Sequence, residues 1–343
     1  MSTTKQFLNT TEISAEILNV NQVSIAQLQD GYICQLSDQS LIQASGDDAT
    51  NFLHNQLSND VEHLDATHAR YAAYCTPKGR MLASFQYWKM DGNIMLQCSA
   101  SLQPALQKRL QMFVMRSKVK LDDVTEQFAL FGLSGKAAEV FLLTQFDQLP
   151  SAINDKISSD NGTLIRLHDA FDMARYQWIV EPGKFAAVSA NIHASLLKID
   201  AGIWRLGNIH AGLPQVVEKS KEQFVPQMIN FELIGGVNFR KGCYPGQEIV
   251  ARSQYLGKLK RRMAIATVKA ELVDVAMEVY SDNDPIQPCG MIVSTERDFG
   301  GDFACLVEIK LADQEQDKVH LGSSTGPILT FFSLPYAYLD VTE

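Results

Sequence analysis

The spacing of apolar and polar residues changes along the chain between patterns typical of strands and of helices, and these changes predict a series of short secondary-structure elements. The apolar-rich stretch 41–44 predicts a strand, and the apolar residues of 49–57 fall on one face of a predicted helix. Between them, Ser-Gly-Asp-Asp at 45–48 supplies turn and helix-capping residues. The first clear unit is therefore a strand that leads directly into a helix.

This unit has a second copy further along the chain. Residues 41–57 and 130–146 lie 89 positions apart (130 minus 41) and share seven identities in seventeen aligned positions. The shared residues, numbered in the first copy, are Leu41, Ser45, Gly46, Ala49, Phe52, Leu53 and Gln56. We interpret the match as an internal duplication. The alternative is coincidence between two amphipathic helices that each follow Ser-Gly.

Further strands and a second helix follow each copy. After the first copy, strands and a helix are predicted at 70–75, 81–88, 94–98 and 101–115. After the second copy, strands and a helix are predicted at 163–167, 175–180 and 184–197. Both halves thus predict strand, helix, antiparallel strands and helix, an α+β order with a ligand cleft between the halves.

The remaining segments differ in texture. Residues 12–18 carry one weak helical signal, and 212–227 is polar and predicts a long surface loop. Beyond residue 257, short β-forming segments between Gly and Asp turns predict a small C-terminal β-barrel. The expected domains are 1–257, made of halves at about 24–118 and 119–211 plus the segment 212–257, and 258–343.

Composition fits this organisation. Of the 343 residues, 46% are hydrophobic and 20% are charged, which is enough apolar material for two ordinary cores. No apolar run approaches the roughly 18 residues of a membrane span. The first 21 residues are too polar for a signal peptide. We expect a soluble, cytoplasmic, monomeric protein without membrane attachment.

Charge and cysteine spacing exclude further classes. The formal charge of -9 disfavours nonspecific attraction to nucleic acid. The six cysteines lack CxxC or CxxxH spacing, which argues against a zinc ribbon, a self-contained iron–sulfur site and a disulfide framework. Free thiols and no resident metal are therefore expected.

One stretch, 239–252, carries candidate chemistry. Pro245 suits a first helical turn, so a helix is predicted to start near Tyr244. Cys243 would then precede a helix N-terminus, with Arg240 and Lys241 as basic neighbours, and this setting lowers a thiol pKa. Cys243 is thus a candidate functional thiol. The alternative is that Cys243 is a small buried hydrophobic residue in a tight, glycine-permitted loop.

The same stretch carries a family resemblance. Lys-Gly-Cys-Tyr-Pro-Gly-Gln-Glu at 241–248 resembles the K-G-C-Y-x-G-Q-E signature of YgfZ-type tRNA-modifying, folate-binding proteins, which are relatives of the glycine-cleavage aminomethyltransferase. The residues carried over with Cys243 are Lys241, Gly242, Tyr244, Gly246, Gln247, Glu248 and Arg252. The resemblance continues at 45–46, 59–61, 209–214, 224–230, 235–237 and 250–252.

The resemblance implies a protein that binds tetrahydrofolate or a derivative and supports assembly or repair of iron–sulfur enzymes. Radical methylthiotransferases acting on tRNA are among the implied clients. The implied fold has duplicated α+β halves of aminomethyltransferase type and a small C-terminal β-barrel. Two alternatives stay open, a true aminomethyl transferase and a direct tRNA-binding factor. The basic run 258–262 is either a solvated edge or a docking patch for phosphate, an acidic partner or the folate tail.

Departures from the aminomethyltransferase pattern bear on its reaction. The acidic G-G-x-x-D-D turn of that family is replaced here, and Ala83 or Ser84 stands where a carboxylate would engage the folate amine. Asn208 stands where the R-x-E-x-G-x-P motif has its arginine. These departures argue against the aminomethyl transfer reaction, although folate binding need not be lost with it.

Three residues are candidates for folate contact. Trp204 matches a tryptophan of the YgfZ type, and an aromatic ring suits a flat pterin or aminobenzoyl group. The alternative for Trp204 is a core tryptophan at the start of a helix. A second family tryptophan would fall near Gln39, where this chain has no aromatic residue. Arg205 is a candidate substitute for the missing cationic anchor. Glu181 is a candidate partner for the pterin donors, or alternatively a solvated turn residue.

Overall fold

Strands outnumber helices in the structure, a computed structural model that describes residues 16–255, 259–316 and 318–338. The helices are α1 (Ile25–Asp30), α2 (Ala49–His54), α3 (Gln103–Val114), α4 (Lys136–Leu142), α5 (Pro182–Ser195), α6 (Ala201–His210), α7 (Gln247–Tyr255) and α8 (Leu311–Gln316). Short 3-10 turns occupy Thr125–Gln127, Glu218–Ser220 and Pro226–Ile229.

The strands form three sheets. Those of the first sheet are β2 (Gln39–Ser45), β3 (Ala69–Cys75), β4 (Met81–Met90), β5 (Asn93–Ser99) and β6 (Lys120–Asp123). Those of the second are β1 (Tyr32–Gln35), β7 (Ala129–Ser134), β8 (Lys156–Ser159), β9 (Gly162–Ala170), β10 (Met173–Val180) and β11 (Leu197–Lys198). Those of the third are β12 (Arg261–Val268), β13 (Glu278–Ser281), β14 (Gly290–Arg297), β15 (Phe303–Lys310), β16 (Val319–Leu321) and β17 (Leu329–Phe332).

The first two sheets share an order of strands. The first runs β3-β4-β5-β2-β6, and the second contains β8-β9-β10-β7-β1 with β11 added at its edge. Within each series neighbouring strands are antiparallel, and only the added β1–β11 pair is parallel. The strand-to-helix units β2–α2 and β7–α4 are the two segments whose sequences match.

The C-terminal region is a curled antiparallel sheet of order β16-β13-β14-β15-β12-β17. An isolated antiparallel bridge between His320 and Ile328 links its two edges. The predicted barrel is therefore a curled sheet that is joined edge to edge by a single bridge. The predicted domain boundary at 257 lies outside the described residues.

The segment after α6 differs from its prediction. We expected a surface loop over 212–227, but Val216 and Phe224 are each 1% exposed. Their apolar side chains pack in the largest core cluster together with residues of the first and third sheets. The apolar residues of the segment are thus covered by both sheets, whereas Glu218, Lys219, Glu222 and Gln223 are exposed as predicted for a surface loop.

The weak helical signal at 12–18 is also not realised where the structure describes it. Residues 12–15 lie outside the described range, and Leu18 instead forms a parallel bridge with Ile199 beside the second sheet. Pairing with a sheet edge satisfies the backbone groups that a one-turn helix would leave exposed. Among the described residues, no helix is long and apolar enough to cross a membrane.

Candidate functional site

A cavity opens between the first sheet, the second sheet and α6. Its empty space, counted together with the part that is open to solvent, is about 640 Å³. The polar and aromatic residues that line it include Asp38, Gln39, Ser84, Trp204, Arg205 and Asn208. A ligand in this cavity would contact both N-terminal sheets at once.

Paired glutamines join the walls of the cavity. Gln97 of β5 and Gln177 of β10 exchange two amide hydrogen bonds, with N···O distances of 3.1 and 2.6 Å. Gln39 of β2 and Gln215 form a similar pair at 3.2 and 2.7 Å. Because each primary amide has two N–H groups, Gln97, Gln177 and Gln215 each keep one N–H group outside their pair, whereas Gln39 donates its second one to Oδ1 of Asp38 at 3.2 Å. The walls are therefore polar but uncharged at these four positions.

Trp204 is held tightly between α6 and the second sheet. The helix begins after Asp200, whose carboxylate accepts two backbone N–H groups of the first turn. A Cβ on Gly132 of β7 would lie 2.5 Å from the indole, so a glycine is needed there. The guanidinium of Arg175 lies over the ring, with Cζ 3.9 Å from the centroid. Trp204 thus borders the cavity as a buried residue, only 4% exposed, and Arg175 covers one face of its ring.

Arg205 is engaged by two carboxylates. Its Nη1 lies 2.9 Å from Oδ2 of Asp38, and its Nε donates to Glu296 on β14. Burial raises the pKa of Glu296, and the charge of Arg205 opposes that rise. Two negative partners leave this guanidinium no surplus charge for an anionic ligand. Its evident role is to tie α6 to the C-terminal sheet, and its predicted contact with folate stays a prediction.

Arg175 of β10 is the unexpected charge beside the cavity. The side chain is 0% exposed, and none of the described carboxylates pairs with it. Nη2 donates to the carbonyl oxygen of Trp204 at 3.2 Å and to Oδ1 of Asn208 at 2.7 Å. Its Nε and Nη1 make no hydrogen bond to a described residue. A buried cation without a counter-ion is costly, and such groups concentrate at functional sites.

The position that would carry the catalytic carboxylate is apolar or neutral. Ala83 is fully buried, and Ser84 lines the cavity. The hydroxyl of Ser84 accepts a hydrogen bond from the backbone N–H of Val216 at 3.0 Å. Asp38 is a carboxylate in the cavity wall, but its pairing with Arg205 neutralises it.

Glu181 lies away from this arrangement. It follows the last residue of β10, precedes α5, and is absent from the residues that line the cavity. Its carboxylate pairs with Lys184 at 3.0 Å, and both side chains are largely exposed. This matches the solvated-turn alternative, and the predicted contact with the pterin finds no geometric support.

The motif at 241–248 lies outside the cavity and packs on the end of α2. The ammonium of Lys241 donates to the carbonyl oxygens of His54 and Leu57, the latter at 2.9 Å, and lies 4.9 Å from the ring centroid of Tyr244. Burial lowers the pKa of Lys241 to about 8. The nearby carboxylates of Asp60 and Glu62 partly oppose this, because negative charge raises the pKa of an ammonium group. Lys241 therefore anchors the loop instead of serving as a free surface cation.

The helix after the motif begins later than predicted. It starts at Gln247, not near Tyr244, because Gly246 has φ +83°, outside the right-handed helical region. A Cβ on Gly246 would lie 2.4 Å from the carbonyl oxygen of Thr76 and 2.7 Å from Gly79. The motif thus docks onto the turn between β3 and β4 through two facing glycines. Three residues separate Cys243 from the helix.

Cys243 differs from the other cysteines in exposure. It is exposed, whereas the other five are buried: Cys34, Cys75, Cys98, Cys289 and Cys305. The alternative of a buried hydrophobic Cys243 is therefore wrong. A Cβ on the adjacent Gly242 would lie 3.5 Å from Nε2 of His54, so the loop passes close over that ring.

The other motif residues divide between packing and surface. Tyr244 is 6% exposed, and its hydroxyl has a raised pKa because it is buried. The side-chain amide of Gln247 donates to the carbonyl oxygen of Lys241 at 3.4 Å. Glu248 and Arg252 are exposed on α7. Within the basic run that follows, Arg261 pairs with Glu308 and Arg262 with Glu232, while Lys260 is exposed.

The comparisons with known proteins agree with this geometry. A model of the GCVT N-terminal domain matches residues 19–154. The glycine cleavage system aminomethyltransferase T from Bartonella henselae superposes with a TM-score of 0.72 at 15% identity, covering 90% of this chain and 88% of that one. The fold is therefore of the aminomethyltransferase type.

Two curated relatives place the chain more closely. The tRNA-modifying protein YgfZ from Colwellia psychrerythraea is 28% identical over 322 residues, 92% of this chain and 96% of the relative. The protein of the same name from Hamiltonella defensa is 31% identical over 255 residues, 73% of this chain and 74% of the relative. The chain belongs to the family of tRNA-modifying proteins called YgfZ.

Several site residues were not predicted from the sequence. Arg175, Asp38, Gln97, Gln177 and Gln215 are not part of any recognised motif, and Gln39 was identified only as the position that lacks a family tryptophan. The sequence could have placed Arg175 next to Gln177, because side chains alternate along β10. Alternation puts Arg175, Gln177 and Ile179 on one face of the strand and Tyr176 and Trp178 on the other. The absence of a counter-ion could not be seen without the fold.

Proposed function

We propose that this protein binds tetrahydrofolate, or a derivative, in the central cavity and supports assembly or repair of iron–sulfur enzymes. Enzymes that methylthiolate tRNA are the proposed clients, in keeping with the naming of its relatives. The observation that carries the proposal is one cavity that gathers Trp204, Asn208 and both N-terminal sheets in an aminomethyltransferase-type fold.

The chemistry of the cavity fits binding better than catalysis. Polar amides and an indole can hold a flat heteroaromatic ring with a polar edge. An aminomethyl transferase needs a carboxylate free to engage the folate amine. Ser84 cannot supply that charge, and Asp38 is paired with Arg205. Accessory binding of folate is therefore preferred over aminomethyl transfer.

The second element of the proposal is the thiol. Cys243 is an exposed cysteine on a loop that Lys241 and Gly246 fix to the body of the protein. A rigidly presented thiol suits contact with a client protein, and its position outside the cavity separates that contact from folate binding. Tyr244, under the ammonium of Lys241, and Gln247, which donates to the carbonyl oxygen of Lys241, then serve to hold this loop.

The proposal includes the predicted domains and duplication. Halves at 24–118 and 119–211 would descend from one α+β unit, followed by 212–257 and a C-terminal domain at 258–343. The matching order of strands in the first two sheets supports this. So does the pairing of Gln97 with Gln177, which lie on equivalent strands β5 and β10.

Calorimetric titration with tetrahydrofolate under reducing conditions tests the folate site. We expect wild-type protein to bind and Trp204→Ala to bind at least about tenfold more weakly, because the ring contact is lost. Glu181→Gln is the matched control and should bind as wild type does. Equal affinity of wild type and Trp204→Ala would remove Trp204 from the site, and no binding by wild type would end the folate proposal.

Complementation tests the thiol. In cells that lack this protein, Cys243→Ser is expected to fold normally but fail to restore methylthiolated tRNA, measured by mass spectrometry of digested tRNA. Cys289→Ala, at a buried cysteine that immediately precedes β14, is the matched control and should complement. Full complementation by Cys243→Ser would assign the motif a purely structural role.

A further inference from the structure

The buried Arg175 contacts two residues of the cavity wall that lie one helical turn apart. Its Nη2 reaches the carbonyl oxygen of Trp204 and Oδ1 of Asn208, and its Cζ lies over the Trp204 ring. Gly207 permits this approach, because a Cβ there would lie 3.3 Å from Cζ of Arg175. One cation thus fixes the face of α6 that borders the cavity.

This contact decides the orientation of the Asn208 amide. Arginine carries only donors, so the atom of Asn208 that faces Arg175 must be the oxygen Oδ1. The Nδ2 group then points away from Arg175, and it makes no hydrogen bond to a described residue. Asn208 is half-buried and lines the cavity, so its two N–H groups are available there.

We propose that Asn208 is a specificity-determining residue, held by Arg175, that donates hydrogen bonds to an acceptor oxygen of the bound ligand. The acceptor is a carbonyl or carboxylate oxygen, groups that folates carry. Arg175 is a positioning residue here. Its uncompensated charge also favours an electron-rich group at this end of the cavity, a role that Arg205 cannot fill while it is paired with Asp38 and Glu296. The inference rests on the proposed folate site.

Asn208→Asp separates this role from a merely structural one. The replacement has nearly the same shape but presents oxygens where the amide presents N–H groups. It also gives Arg175 the carboxylate that it lacks. We therefore expect opposite changes in two measurements, a higher midpoint of thermal unfolding without ligand and an affinity for tetrahydrofolate at least tenfold lower.

A double-mutant cycle tests the positioning role of Arg175. In Arg175→Met, the side chain at 208 is released, and affinity should fall. The affinity losses of Arg175→Met and Asn208→Asp should then be non-additive, because both act through the same amide. In the Arg175→Met background, Asn208→Asp should no longer raise the unfolding midpoint, since its partner is gone.

The outcomes distinguish this inference from the proposed function. If wild type binds tetrahydrofolate, Trp204→Ala weakens binding and Asn208→Asp binds as tightly as wild type, the cavity is the folate site and Asn208 is not a donor to the ligand. Strictly additive losses would overturn the positioning role of Arg175. If wild type does not bind at all, the proposed function itself fails.

Discussion

At the scale of single residues, burial separates side chains that share a chemistry. Six free cysteines occur in the chain, yet only Cys243 is exposed. Burial raises the pKa of the thiols of Cys34, Cys75 and Cys98 to about 12 in each case. Exposure therefore singles out the motif cysteine.

This difference predicts selective alkylation. Native protein treated with iodoacetamide at neutral pH should gain one label rapidly, and urea-denatured protein should gain six. Intact-mass spectrometry counts the labels, and the native label should vanish in Cys243→Ser. Slow labelling of native wild type, or equal labelling of a second cysteine, would contradict the exposure of the loop.

His168 of β9 gives a prediction about pH. Burial is the main cause that lowers the pKa of His168 to about 4, and the charge of Arg175 is the second. A histidine in the unfolded chain has a pKa near 6.5. Between these values the unfolded chain binds a proton that the folded chain does not. Stability should therefore fall as the pH drops from about 6.5 to about 4, by at most about 1.4 kcal/mol per pH unit from this group.

Urea unfolding at pH 5 and pH 7 measures this effect. The fall in unfolding free energy between the two should be smaller in His168→Gln than in wild type, because glutamine does not titrate. A nuclear magnetic resonance titration of the ring reports the pKa directly. Equal falls in both proteins, together with a ring that titrates near pH 6.5, would show that His168 is not shielded.

At the scale of elements, most strands and helices follow the sequence pattern, and the exceptions have local causes. Alternating or continuous apolar runs predicted β4 and β10 within two residues at each end. The start of α7 was wrong, because the pattern of Pro245 and acidic neighbours indicates a helix start but does not reveal the positive φ of Gly246. The burial of 212–227 depends on contacts with two distant sheets, which no local pattern encodes.

Docking of the motif on the β3–β4 turn is testable through Gly246. Gly246→Ala should lower the unfolding free energy for two reasons. An alanine in the left-handed backbone conformation of residue 246 costs roughly 1–3 kcal/mol, and its Cβ would overlap the carbonyl oxygen of Thr76. Gly235→Ala is the matched control, because Gly235 has φ +78° but no atom within 4 Å of the added Cβ. Urea titration should show the larger loss at Gly246. Equal losses of unfolding free energy in the two variants would mean that the close approach of Gly246 to Gly79 is not needed for docking.

At the scale of the whole molecule, the family resemblance predicted the fold but not how charges are arranged around the central cavity. The family resemblance indicated an aminomethyltransferase-type fold, which the structural comparison confirms. The sequence also indicated Trp204, which lines the cavity, and Arg205, which does so while paired with Asp38. Arg175 remained hidden, because it comes from the other side of the cavity and its importance lies in the lack of a partner.

The pairing of Asp38, the carboxylate in the cavity wall, predicts that aminomethyl transfer is absent. Protein mixed with tetrahydrofolate and an aminomethylated lipoyl carrier protein should release no methylene-tetrahydrofolate above background, because Ser84 is uncharged and Asp38 is engaged by Arg205. Liquid chromatography of the folate products provides the readout. Catalytic turnover would revive the aminomethyltransferase alternative.

The most direct test of the central claim is a crystal structure of the protein with tetrahydrofolate bound. The folate is expected in the cavity between the two N-terminal sheets, with one ring against Trp204 and an acceptor oxygen within hydrogen-bond distance of Nδ2 of Asn208. Cys243 should remain exposed and untouched by the ligand. Density for folate at another place on the protein, with the central cavity holding only solvent at saturating ligand, would contradict the account.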